Sequence, residues 1–214
     1  PTIAAVIAAC RKKEIKNFSV FSVHKIVPPA INALLADPLL NIDGFLCPGH
    51  VSIMIGADAY RMIPNAGRAA VITGFEPVDI LEGVWMLLNQ VESSKMEVAI
   101  QYSRGVKPEG NTRAMNLLHS VFETADAEWR GLGIIPTSGL VLREAFASFD
   151  TLKKFSLPDI KSSDIAGCGC GDILRGIKLP NDCPLFKKVC TPVNPIGPCM
   201  VSSEGTCSTY YKYY

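Results

Sequence analysis

No stretch of this 214-residue chain could span a bilayer: its longest apolar runs, such as Val84-Trp-Met-Leu-Leu88, fall well short of the roughly 20 residues required. Surplus charge is missing as well. Lys and Arg number 21 against 20 Asp and Glu, a net charge of +1, and no Lys/Arg run concentrates it. That balance gives no electrostatic ground for expecting a nucleic acid or an anionic membrane as partner. Phosphate loops of the Gly-x-Gly-x-x-Gly and Walker types are absent, as is a Gly-x-Ser-x-Gly elbow. Nucleotide binding and serine hydrolysis therefore have no motif behind them. Fixed-period repeats and low-complexity tracts are also lacking.

The start of the chain lacks the marks of a secretory signal. In Pro1-Thr-Ile-Ala-Ala-Val-Ile-Ala-Ala-Cys10 no basic region precedes the apolar residues, and Arg11-Lys-Lys13 follows them instead. An amphipathic helix is the expected form. There is no initiator Met, so the chain is expected to begin inside a longer protein. With no export signal, the cysteines are read in a reducing, cytoplasmic setting. There, clustered thiols point to metal or redox chemistry before structural disulfides.

What is present is an ordinary folding composition, 48% hydrophobic and 19% charged. Helices are predicted at 2–13, 28–36, 51–60, 78–91, 112–124 and 143–154. Strands are predicted at 18–23, 42–47, 69–73 and 97–102, with a last strand or strand pair at 132–142. Pro28 and Pro29 suit a first helical turn, and Asn111 is a good N-cap. Such alternation gives an α/β fold, a mostly parallel sheet flanked by helices, over residues 1–155. Residues 156–214 follow as a small, irregular, cysteine-rich domain.

Ligands of such sheets bind beyond the carboxyl ends of the strands. Those ends carry Ser22-Val-His24-Lys25, Cys47-Pro-Gly-His50, Gly74-Phe-Glu-Pro77 and Gln101-Tyr-Ser-Arg104. Each has a plain structural alternative. Cys47 suits a buried small hydrophobe, His50 and Glu76 a helix start, His24 a cap, His119 a mid-helix position and Cys10 a core.

The last quarter holds six of the eight cysteines, in the spacing C-x-C-x12-C-x6-C-x8-C-x7-C from Cys168 to Cys207. Its surroundings are rich in Gly and Pro and short of apolar runs, so thiols or a metal are expected to hold it together. Irregular backbone of this kind suits an iron–sulfur cluster, whose sulfurs accept N–H groups. Zinc usually takes paired C-x2-C or C-x4-C hairpins, and none is present. Four ligands can be chosen from six thiols in fifteen ways, and spacing picks none of them. The two left over could be spare or a redox couple. Glu204, between Ser203 and Gly205, reads as a turn carboxylate.

Cys168-Gly-Cys-Gly171, Cys183-Pro-Leu-Phe186, Cys190-Thr-Pro192, Gly197-Pro-Cys-Met-Val-Ser-Ser-Glu-Gly205 and Tyr210-Tyr-Lys-Tyr213 closely resemble the C-terminal signature of the HypD family of hydrogenase formation proteins. Gly44-Phe-Leu-Cys-Pro-Gly-His-Val-Ser52 and Gly74-Phe-Glu-Pro77 resemble that family's central motifs. The resemblance implies a scaffold on which the Fe(CN)2CO unit of nickel–iron hydrogenases is assembled. Its partners would be the chaperone HypC and the cyanide-donating HypE–HypF pair. It also implies a 4Fe-4S cluster in surroundings similar to those of ferredoxin:thioredoxin reductase. Its ligands would be Cys168, Cys183, Cys190 and Cys207, with Cys170 and Cys199 as a redox disulfide beside it. His50 and Glu204 match positions of functional weight in the family.

The departures matter too. The family's N-terminal Cys-Gly-Thr-His-Glu and Cys-Pro-Val-Cys motifs, which hold the iron and relay electrons, are not found here. The expectation is thus a fragment with the second α/β domain and the cluster domain, without turnover of its own. Lys187 stands where a Gly is usual. The alternatives are an iron–sulfur thiol–disulfide oxidoreductase resembling ferredoxin:thioredoxin reductase, and a zinc-stabilised binding module.

Overall fold

The computed structural model describes residues 1–155, 157–158 and 166–214. The expected boundary between 155 and 156 thus falls against a position outside the described residues. Among those described, no helix is long and apolar enough to cross a membrane.

The opening helix α1 (Thr2–Lys12) forms as the sequence predicts, burying Ala4, Ile7 and Cys10 at helical spacing. α2 (Val27–Leu35) carries its two prolines in the first turn, where a missing N–H leaves no bond unmade. Strand β1 (Gly44–Pro48) then runs straight into α3 (Gly49–Ile55). The single helix expected through Tyr60 is broken at Gly56, which sits at φ 82° against Gly110 at φ 67°. A Cβ on Gly56 would stand 2.2 Å from the Pro108 carbonyl oxygen, so only glycine permits this approach. A three-residue-per-turn segment (Ala57–Tyr60) and the one-turn α4 (Met62–Asn65) follow.

β2 (Ala69–Thr73) is the centre of the sheet, with all five residues buried. Side chains alternate across a strand, so both of its faces must be covered. Ala70 and Ile72 meet Ile31, Tyr60, Ile63 and Val106. α5 (Pro77–Ser93) lies along β1 and β2, with Gly83 set against Thr73. β3 (Val98–Ile100) completes a three-stranded parallel sheet in the order β1-β2-β3. Asn111 caps α6 (Thr112–Val121), its Oδ1 accepting from the Ala114 N–H at 3.0 Å.

The sheet is smaller than the alternation suggests. Residues 18–23 form no strand among the described residues: Val20 makes one isolated bridge, its N–H donating to the Phe149 carbonyl, and a second follows just beyond, where Leu140 N–H donates to the His24 carbonyl. Phe18 and Val20 join the core of α1 and α6, which holds the segment without a ladder. Residues 122–124, expected to extend the helix, instead begin β4 (Phe122–Trp129). It pairs antiparallel with β5 (Gly133–Leu142), so the strand pair expected at 132–142 is a hairpin that begins ten residues earlier. The helix expected at 143–154 is a tight turn over Glu144–Phe149 followed by α7 (Thr151–Lys154). Phe146 and Phe149, three apart and both buried, fit the three-residue period better than an α-helical face.

Beyond 166 the elements are short: α8 (Cys170–Leu174), α9 (Pro198–Val201) and α10 (Thr206–Tyr213). Arg175 fastens this segment to the sheet part, binding Asp37 at 3.0 Å while also holding its own Asp172 at 2.6 Å.

Two tests follow from the fold. At the rim of the sheet, the Asp79 carboxylate is bound by Arg104 Nη1 at 3.0 Å and Nη2 at 2.5 Å, and by Gln101 Nε2 at 2.8 Å. These donors hold its pKa down at about 2, against an ordinary 3.8. A depressed acid stabilises the fold above its unfolded pKa and loses that contribution as pH falls through the folded value. In urea, wild type should therefore exceed Asp79→Asn by a constant margin above about pH 5, narrowing as the pH approaches about 2. A margin unchanged down to that pH would contradict the ion pair's role.

The second test concerns Lys187, which lies at φ 57°, a region that costs an L residue. Its ammonium sits 5.7 Å and 5.8 Å from the Phe186 and Tyr211 rings. Ala and Gly both remove those contacts, so comparing Lys187→Gly with Lys187→Ala isolates the backbone. The Gly variant should be the more stable by about 1 kcal/mol, measured by urea unfolding.

Candidate metal and redox centre

The core of the C-terminal segment is built from thiols. Cys170, Cys183, Cys190, Cys199 and Cys207 are buried together with Ile173, Phe186 and Met200, and Cys168 packs on them half-buried. All six line one enclosed space. Local chemistry explains how each arrives. Cys170 opens α8, Cys199 lies in α9 and Cys207 in the first turn of α10. Cys183 follows the Pro180–Asp182 turn, and a tight turn brings the Cys190 N–H back to the Leu185 carbonyl at 3.0 Å. Gly197 is needed where it stands, since a Cβ there would lie 2.6 Å from Cys168 Sγ.

The sulfurs already receive backbone donors. Gly169 N–H points at Cys183 Sγ and Ile196 N–H at Cys190 Sγ, each at 3.4 Å. Cys170 and Cys199 share a hydrogen bond, which together with burial pushes the Cys199 thiol far up. Burial and the neighbouring sulfurs raise Cys207 to about 12, and burial raises Cys168. Thiols crowded in apolar surroundings keep their protons unless a cation stabilises the thiolates.

That donor set fits an iron–sulfur cluster in chemistry: irregular backbone, N–H groups on sulfur, and an apolar wall of Ile173, Leu185, Phe186 and Met200. The free space between the thiols is about 10 Å³, so the loops bearing them would have to part around such a guest. Among the described residues, no three His, Cys, Asp or Glu side chains stand close enough together to hold a single metal ion.

The other expected site residues fare differently. Glu204 is exposed in the turn between α9 and α10; its own N–H bonds Ser202, and its carboxylate makes no hydrogen bond or ion pair among the described residues. His50 is set apart from the thiols. Its ring lies 4.9 Å from that of Phe75, and it lines a cavity of about 440 Å³ whose walls contain no cysteine. His24 and His119 line the same cavity, so all three histidines of the chain meet there. Glu76 occupies the cap position of α5 without a capping bond from its side chain; Asp79 is the carboxylate that binds at this rim. Cys47 is a buried hydrophobe with its thiol pushed up to about 12, and Cys10 belongs to the core.

One contributor was missed from the sequence. The tip of the β4–β5 hairpin reaches the cysteine segment, where Arg130 Nη2 donates to the Ile196 carbonyl at 3.2 Å. Gly131 packs on Gly171, where a Cβ would come within 2.7 Å of the Gly131 carbonyl oxygen. Together with Cys168, Cys170 and Arg175 they wall a cavity of about 230 Å³. The glycines at φ 85° and 77°, Gly131 and Gly133, were the available signal for that hairpin.

Comparison with known proteins gives one consistent result. Residues 1–214 match the family described as "HypD: Hydrogenase formation hypA family". The whole chain aligns with the hydrogenase maturation factor HypD of Azotobacter vinelandii, 45% identical over 220 residues and 58% of that protein. It aligns likewise with HypD2 of Bradyrhizobium diazoefficiens (44%, 58% of its length) and HypD of Cupriavidus necator (43%, 58% of its length). The chain thus spans a little under three fifths of the length of these relatives. With the family matched along the whole of this chain, the chain belongs to the HypD family of hydrogenase maturation proteins.

Proposed function

We propose that this chain supplies the sheet domain and the electron-delivery centre of a scaffold that assembles the Fe(CN)2CO unit of nickel–iron hydrogenases. The observation carrying this reading is the convergence of six thiols on one chamber, two of which share a hydrogen bond. Cys168, Cys183, Cys190 and Cys207 would hold a 4Fe-4S cluster, which supplies electrons one at a time when bound. The Gly169 and Ile196 N–H groups stabilise charge on Cys183 and Cys190, and Leu185, Phe186 and Met200 keep water away.

Cys170 and Cys199 form the redox pair. Closing it to a disulfide releases two electrons and two protons; opening it takes up the same. HypC and the HypE–HypF pair are the proposed partners and the cytoplasm the proposed compartment. Assembly itself requires the part of the relatives' length that this chain does not span. His50 and Glu204 serve the scaffold away from the thiols: His50 in the histidine-lined cavity, Glu204 as an exposed proton carrier beside the α9–α10 turn.

Anaerobic purification should give a brown protein with about four irons per chain. A colourless protein holding one zinc would refute the cluster. Replacing Cys170 and Cys199 by Ser should leave iron content unchanged and abolish hydrogenase maturation when introduced into a full-length chain. Maturation at the normal rate would remove the pair from the mechanism. A full-length form that ignores HypC but reduces a thioredoxin-like disulfide would favour the oxidoreductase reading.

A further inference from the structure

The two sulfurs of the proposed redox pair are not equivalent. Residue exposures of 4% for Cys170 and 6% for Cys199 do not separate them. The cavities do. Of the two, only Cys170 is a shared wall, lining, as the proposed ligand Cys168 also does, both the enclosed thiol chamber and the open mouth of about 230 Å³ beneath the hairpin tip. Cys199 lines the chamber alone. Thiol–disulfide exchange is a displacement along the S–S axis, with the attacking sulfur opposite the leaving one. A sulfur arriving through the mouth therefore meets Cys170 first, with Cys199 behind it in the leaving position.

The mouth also has a sign. Arg175 is compensated by Asp37 and Asp172. Arg130 bonds the Ile196 carbonyl and has no carboxylate partner among the described residues. Its position is fixed because the Gly131–Gly171 contact seats the hairpin on the first turn of α8.

Resting on the redox-pair reading, we propose that external thiols exchange with this pair at Cys170, through a mouth in which Arg130 selects thiols flanked by carboxylates. The partner thiolate attacks Cys170 Sγ, the Cys170–Cys199 bond breaks, and Cys199 leaves as a thiolate that takes up a proton. The partner's second thiol then attacks the partner sulfur of the mixed disulfide. That forms the partner's own disulfide and frees the Cys170 thiol. Two electrons and two protons have passed to the pair. The reverse reaction, the reduced pair acting on a partner disulfide, begins at Cys170 by the same path.

The test uses the whole chain, purified anaerobically and mildly oxidised, with peptide mapping to establish the Cys170–Cys199 disulfide. It is then exposed to 3-mercaptopropionate, 2-mercaptoethanol or cysteamine, acid-quenched and mapped again. The expected adduct lies on Cys170, with Cys199 free. Relative to the same thiols acting on an exposed neutral disulfide, the anionic thiol should react about three- to fivefold faster than the cationic one. Arg130→Ala should erase that preference. Adducts on Cys199 would overturn the proposal while leaving the redox pair standing. Absence of the Cys170–Cys199 disulfide would overturn both. A charge preference that survives Arg130→Ala would remove Arg130 as its source.

Discussion

Thiols take the place of a hydrophobic core in the last quarter of this protein, and the rest of that segment is arranged around making them meet. Among the described residues no helix there exceeds the eight residues of α10, and the apolar side chains buried with the sulfurs are few. A segment this small cannot fold on ordinary burial alone. Convergence of six sulfurs demands sharp, close-packed turns, which accounts for the glycines. Gly197 makes room for Cys168, and Gly205 lets the chain pass within 2.3 Å, measured from a would-be Cβ, of the Cys199 carbonyl oxygen. The backbone N–H groups freed by these turns are the ones that reach Cys183 and Cys190. Irregularity here is the means by which sulfur is surrounded by donors.

The thiol core is then fixed to the α/β part by polar contacts. Arg175 bridges Asp37, near the end of α2, to Asp172 of α8, and Lys178 holds the second oxygen of Asp172 at 2.6 Å. Asn41 donates twice across the same seam, its backbone N–H to the Arg175 carbonyl at 2.9 Å and its Nδ2 to the Gly176 carbonyl at 3.1 Å. Gly176, at φ 73°, lies where a Cβ would sit 2.3 Å from the Asn41 carbonyl oxygen. Arg175 thus does two jobs: it locates the thiols and it is electrically spent. That is why Arg130, from the opposite side, sets the sign of the mouth.

Much of the fold was legible, and the misses share a cause. Periodicity located α1 and β2 through the faces they bury. α5 lies where expected, but its apolar row of Ile80, Leu81, Val84, Leu88 and Val91 is exposed, and Asp79, Gly83 and Gln90 are the residues it buries. The β-branched and aromatic residues of 18–23 suggest a strand, but whether a ladder forms is set by distant residues, and among the described residues only Val20 finds a backbone partner, at Phe149. The end of α6 was overrun because Phe122 continues the apolar helical pattern while actually pairing with Leu142. The thiols were recognised as a centre from their clustering, and spacing could not divide them. The contact that singles out Cys170 and Cys199 joins residues far apart in the chain. Glu76 suits a helix start by sequence, yet Asp79 is the carboxylate that binds, because its partner Arg104 lies beyond β3, 25 residues further along the chain.

The separation of imidazoles from thiols constrains how the family's chemistry can be divided. All three histidines line a cavity between α1, α3 and α6 with walls mainly apolar, while the six thiols line another. Neither cavity contains a residue of the other. On the proposed reading, proton handling at His50 and electron storage at Cys170 and Cys199 would therefore take place in separate cavities of this chain. Thiol exchange is a contact reaction, so electrons leave the pair only on a sulfur that comes to it. A mouth open at Cys170, closed at Cys199 and roofed by a hairpin arginine is what such a carrier would meet. On that reading the carrier, and not the pair, would be what moves between the thiols and any site of imidazole chemistry.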